Sequence, residues 1–131
     1  MIVVDSSALL AILFGEPDGG TFENVLAGGQ RCVMSAVNVH ETATVLRIRL
    51  GMPAVERLWR LIDATDLEIV PFDRVQVRTA ALAFDRYGKG IDPKARLNLA
   101  DCAAYALAKT LNAPLLFKGE DFAQTDLPPA A

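Results

Sequence analysis

The chain has 131 residues, 52% hydrophobic and 22% charged, which excludes intrinsic disorder and fits one domain with a core that needs neither disulfides nor a structural metal. Its formal charge of −3 excludes a broadly basic surface, so a phosphate ligand has to be drawn by a local basic patch or by bound cations. No run reaches the roughly 20 apolar residues of a membrane span, Asp5 breaks the apolar start before it can act as an export signal, and Cys32 and Cys102 fit no C-x-x-C pattern, which together predict a cytoplasmic protein with two buried free thiols.

Ile2-Val3-Val4 is a β-branched run and predicts a buried strand. Residues 8–14 read as a helix capped by Ser6 or Ser7, with Gly15 past its end, and residues 21–27 as a second, stopped by Gly28-Gly29. A strand over 31–34 leads to Ser35, which caps a long helix ending at Leu50 and Gly51. Pro53 suits a first helical turn, and that helix continues through 54–64. A third strand covers 67–70. Asp73 then caps a helix over 74–87, with Gln76 placed as a capping-box partner. Residues 91–96 are loop, 98–111 are helical with Asn112 as C-cap, and 115–117 form a fourth strand. The tail to Ala131 holds at most one more strand. Strands separated by helices predict a single α/β domain over 1–131, a four- or five-stranded parallel sheet with helices on both faces.

In such sheets ligands bind beyond the carboxyl ends of the strands. Asp5 directly follows the first strand, and Asp121 lies just past the fourth. Glu41 and Asp101 sit on helices of otherwise apolar character. Asp101 is the sharper case, because an unpaired carboxylate among apolar neighbours is costly. Asn98 and Tyr105 lie three before and four after it, so the helix carries a narrow polar stripe without a Lys, Glu or Arg until Lys109. Converging carboxylates repel and raise each other's pKa unless a cation neutralises them, and an all-oxygen set suits Mg²⁺ or Mn²⁺. Such a site can hydrolyse a phosphodiester. Ser6 and Ser7 have no nucleophile-elbow context and are read as capping the helix and hydrogen-bonding the site. His40 is the only histidine, which excludes His-based zinc sites, and no P-loop pattern occurs. The one locally basic stretch, from Arg86 to Arg96, contains Lys89 and Lys94, leads into the Asp101 helix, and is suited to phosphate-backbone contact.

Taken together these residues resemble the PIN-domain nucleases, and among them the VapC-type ribonuclease toxins of toxin–antitoxin pairs. The carriers of the resemblance are Ile2-Val3-Val4-Asp5-Ser6-Ser7-Ala8-Leu9, Glu41-Thr42-Ala43, Tyr87-Gly88-Lys89-Gly90, Leu97-Asn98-Leu99-Ala100-Asp101-Cys102, and Leu115-Leu116-Phe117-Lys118-Gly119-Glu120-Asp121-Phe122. Lys118-Gly119 stands where a Thr-Arg type pair is common in the family. The resemblance implies a three-layer PIN-like fold and Mg²⁺- or Mn²⁺-dependent cleavage of RNA, such as tRNA. Asp5, Glu41, Asp101 and Asp121 would be the acids, Ser6 and Asn98 their supports, and Lys89, Lys94 and Arg96 the RNA contacts. It also implies a homodimer and an antitoxin that lies across the active-site groove. Two other acidic-pocket designs fit less well. A receiver-type switch needs paired acids after the first strand, and a haloacid-type phosphatase needs a second Asp where Ser7 stands. A catalytically silent PIN domain used only for protein contacts is the other alternative, and retention of all four acids argues against it.

Overall fold

A computed structural model describes residues 1–130; Ala131, the last residue of the expected domain, lies outside them. Four parallel strands, β1 (Ile2–Val4), β2 (Cys32–Ser35), β3 (Glu68–Val70) and β4 (Leu115–Leu116), form one sheet in the order β3-β2-β1-β4. Six helices accompany them: α1 (Ser6–Leu13), α2 (Gly19–Ala27), α3 (Ala36–Leu50), α4 (Met52–Thr65), α5 (Arg74–Tyr87) and α6 (Leu99–Leu111). The expected extra strand is an isolated bridge between Leu115 and Pro129, held by Leu115 N–H to Pro128 O and Ala130 N–H to Leu115 O.

β1, β2 and β4 are buried on both sides, so each contributes residues to two separate cores, while β3 is an exposed edge strand. Ile2, Val4, Cys32, Met34 and Leu116 face α1 to α4, with Leu9, Leu46 and Leu58 completing that layer. Val3, Val33 and Leu115 face the other way, onto Leu97, Leu107 and the small residues of α5 and α6. Right-handed crossovers explain this split: the chain moves outward from β1 to β3 with α1–α4 on one face, then returns past β1 to β4 with α5 and α6 on the other. The reversal makes the carboxyl end of β1 the switch point of the sheet, where such folds leave a crevice.

Local chemistry differs from the sequence expectation at two caps. Asp5 itself, not Ser6 or Ser7, is the N-cap of α1, accepting from the Ser7 amide at 3.0 Å. Asp73 caps α5 as expected, accepting from Gln76 N at 3.1 Å, but Gln76 closes no capping box. Its buried amide donates instead to Thr110 Oγ1 at 2.7 Å and ties α5 to α6. Both cysteines are buried and free. No helix among the described residues is long and apolar enough to cross a membrane.

Candidate active site

The acids come together at the carboxyl edge of the sheet because β1, α3, α6 and the segment after β4 each deliver one there. Asp5 is fixed by the backbone: its N–H donates to Leu116 O at 2.9 Å, which seats it between β1 and β4. Ser7 then takes one carboxylate oxygen. The Ser7 amide and hydroxyl donate to Asp5 Oδ2 at 3.0 and 2.6 Å. The other oxygen, Oδ1, is buried and has no partner. Such an atom pays the full cost of desolvation unless something neutralises it. Burial accordingly raises the Asp5 carboxyl to a pKa of about 6; the Ser7 hydrogen bonds pull it down and the nearby charge of Glu41 adds to the rise.

Asp101 is the N3 residue of α6 and forms a reciprocal capping box with Asn98. Asn98 Oδ1 accepts from Asp101 N at 2.8 Å, and Asp101 Oδ2 accepts from Asn98 N at 3.0 Å. This box sets the carboxylate's direction and leaves its second oxygen for the crevice. Burial pushes the Asp101 pKa up to about 7 against the pull of the Asn98 amide, and the charges of Asp5, Asp121 and Glu41 add to the rise. Asp101 thus lies within electrostatic reach of the other three acids, and Glu41 within reach of Asp5. Glu41 is half-buried on α3, and Asp121 is exposed at the head of a short turn, Phe122–Gln124. Among the described residues no three acid, His or Cys side chains already stand at metal-ligand spacing, so the cluster is open.

The supporting residues divide differently from the sequence reading. The Ser6 backbone helps to hold the Asp5 carboxyl pKa down, but the Ser6 hydroxyl donates elsewhere, to Asn38 O at 3.1 Å. Asn38, which the sequence reading passed over, is wholly buried. Its Nδ2 donates to Ala100 O at 3.0 Å, and its own carbonyl also accepts from Thr42 Oγ1 at 2.8 Å. Residues directly beside Asp5 and Asp101 are therefore pinned to a residue one helical turn before Glu41. The available signal was a lone Asn in the apolar run Ala36-Val37-Asn38-Val39. The polar stripe of α6 stops at Asp101. Tyr105 turns inward against Tyr87, with ring centroids 5.6 Å apart, and donates to Asp126 Oδ1 at 2.7 Å. Lys109 pairs with the same Asp126 at 2.8 Å.

The basic loop is closed rather than loose. Lys89 N donates to Leu97 O at 2.8 Å and Leu97 N to Tyr87 O at 2.9 Å, while Asp92 accepts from Lys94 N and Ala95 N inside it. Lys89, Lys94 and Arg96 are left exposed on a framed loop that runs into Asn98 and Asp101. His40 is also exposed, beside Trp59 and Ile69 rather than among the acids.

The sequence and the fold have counterparts in known proteins. The PIN domain model matches residues 2–127. A ribonuclease VapC of Mycolicibacterium smegmatis is 43% identical over 126 residues, covering 96% of this chain and 97% of the relative. Among solved structures, Mycobacterium tuberculosis VapC20, described as a toxin cleaving the sarcin–ricin loop, has a TM-score of 0.79 at 18% identity over 97% of this chain and 96% of its own. The Rickettsia felis VapBC2 structure, bound to a promoter DNA fragment, has a TM-score of 0.70 at 16% identity over 98% of this chain and 96% of its own. The family model and the full-length match agree, and the chain belongs to the PIN-domain family, in its VapC group.

Proposed function

We propose that this protein is a divalent-metal-dependent endoribonuclease of the VapC type, a toxin held in check by a cognate antitoxin. The observation that carries the reading is the unpartnered, buried Oδ1 of Asp5 at a strand-end crevice, with the charges of Glu41 and Asp101 close enough to act on Asp5. The curated relative is a ribonuclease by name, which supports RNA as the substrate. Asp5 and Asp101 would hold Mg²⁺ or Mn²⁺, with Glu41 and Asp121 completing the set. Hard oxygen donors of this kind suit either ion. The bound cation supplies Lewis acidity for phosphodiester hydrolysis. Ser7 and Asn98 orient the two inner carboxylates, and Ser6, through Asn38, keeps their helices in register. The toxin would act in the cytoplasm. Calorimetric titration with Mn²⁺ is expected to show saturable binding, and RNA is expected to be cut only with the ion present. A variant with Asp5→Ala and Asp101→Ala should lose both; intact Mn²⁺ binding in that variant would refute the ligand assignment.

Lys89, Lys94 and Arg96 contact the RNA backbone on the α5–α6 face of the crevice. Replacing all three by Ala should weaken RNA binding and flatten its salt dependence by about two units of slope, since released counterions scale with the phosphates neutralised. An unaltered slope would remove the loop from the footprint.

A homodimer is formed through the outer face of α5 and α6. Val77, Ala81, Phe84 and Leu99 line an open apolar groove of about 380 Å³ there. Leu82 and Leu99 are 71% and 80% exposed, an apolar surface of the kind that marks protein contacts. Sedimentation should give a dimer for the wild type and a monomer for Leu82→Asp; a monomeric wild type at all concentrations would exclude this pairing.

A further inference from the structure

Lys118 is the residue at this site whose arrangement the four acids do not explain. Its amide donates to Ser7 Oγ at 2.9 Å, and that hydroxyl in turn holds Asp5. The Lys118 backbone is therefore fixed two hydrogen bonds from the first acid. Its side chain reaches the turn between α1 and α2, where the ammonium pairs with Glu16 and, at 3.2 Å, with Asp18. That turn is firm. Glu16 N donates to Ala11 O at 2.9 Å, and a Cβ on Gly19 would come within 2.7 Å of the same oxygen. Lys118 itself is followed by Gly119 at φ +101°, with open space around it. Two carboxylates on a firm turn thus face a cation whose backbone is tied to Ser7 and whose partly exposed side chain alone has to move to change partner.

Two carboxylate oxygens around an ammonium occupy the donor positions that the two non-bridging oxygens of a phosphodiester take. The Lys118 side chain is 39% exposed, and exposed ion pairs contribute little, so exchange of one anion for another is cheap. The position also matters. The loop bearing Lys89, Lys94 and Arg96 lies on the α5–α6 face of the sheet, whereas Lys118 reaches across to the α1–α2 face, with the acids between them.

We propose that Lys118 is a second substrate-phosphate contact, occupied in the free protein by Glu16 and Asp18 and released to an RNA phosphate on the α1–α2 side of the acids. This rests on the ribonuclease reading. RNA would then cross the carboxyl edge of the sheet from one face to the other, and Glu16 and Asp18 would set the affinity by competing with it.

The test is binding of a labelled RNA hairpin to the full chain in EDTA, over a series of salt concentrations. Glu16→Gln with Asp18→Asn is expected to tighten binding about 3- to 10-fold and to steepen the salt slope by about one unit, the contribution of one further phosphate contact. Lys118→Gln should weaken binding, and adding it to the double variant should cancel the gain. Asp66→Asn with Glu68→Gln removes the same two charges away from the acids, frees Arg31 at the opposite edge of the sheet and controls for net charge. An equal gain from that pair, or a gain that survives Lys118→Gln, would overturn the proposal. Wild-type protein that binds RNA while Lys118→Gln binds identically overturns it alone; wild type that neither binds nor cuts RNA overturns the ribonuclease reading with it.

Discussion

Asp101→Asn is expected to melt about 5 °C higher than wild type in EDTA at pH 8, while losing RNA cleavage and the stabilisation that added Mn²⁺ gives. The Asp101 carboxyl rises from 3.8 to about 7 on folding. Between those values the folded state holds a proton that the unfolded state has released, so stability falls as pH rises through that window and stays low above it. Three pH units correspond to about 4 kcal/mol at full burial. Asp101 is partly exposed, and solvent screening reduces the cost to about 2 kcal/mol. Asparagine removes the charge and keeps an oxygen to accept from the Asn98 amide. It gives up the favourable placement of a negative charge at the start of α6, about 0.5 kcal/mol. The net gain then shifts the melting temperature by a few degrees. Wild type in EDTA should also lose stability from pH 4 to 7, with Asp5 contributing up to about pH 6, and the variant should show a shallower decline. Melting curves for both proteins at pH 5 and 8, with and without Mn²⁺, decide the matter. A variant that melts lower than wild type at pH 8 and keeps the full Mn²⁺ shift would make Asp101 an ordinary structural carboxylate.

Asn38→Ala is expected to cost about 2 kcal/mol and to lower cleavage about 100-fold. About half of the stability loss comes from the buried bond to Ala100 O, and the rest from the space left among α1, α3 and α6. The loss of activity has a different origin. Asn38 couples the residue after Asp5 and the residue before Asp101, and small misplacements of reacting groups cost factors of this size. Asn38→Leu separates the two effects: it refills the volume and removes the orphaned Asn38 Oδ1, so stability should largely return while cleavage stays low. Wild-type cleavage by Asn38→Leu would show that the tie does not position the acids.

The layout of strands and helices was legible because its signals are local and periodic. Ile2–Val4, the Ser35 cap, the Asp73 cap and the Asn112 C-cap at φ 50° lie where the sequence puts them. Asp5 and Asp101 stood out for the same reason, one at a strand end and the other amid apolar residues. What was hidden depends on partners distant in the chain. Gln76 looks like a capping residue until Thr110 is beside it, and Tyr105 looks like part of a polar stripe until Asp126 takes its hydroxyl. Asn38 meets Ala100 across 62 residues, and Lys118 meets Glu16 across 102. No periodicity in either segment encodes such a meeting.

The pairing of β1 with β4 also orders events during synthesis. On the side of β1 away from β2, Val3 and Val4 wait for Leu115 and Leu116, and Asp5 is seated by a bond to Leu116 O. A nascent chain can form α1 to α4 on one face of β1–β3 early, because those contacts are close in sequence. It cannot seat Asp5 against β4, or present Lys118 and Asp121, until the segment from Leu115 to Asp121 has been made. The acidic centre is therefore assembled only after the first three strands and all six helices have been made, and a chain cut short before Leu115 carries most of the described fold without it.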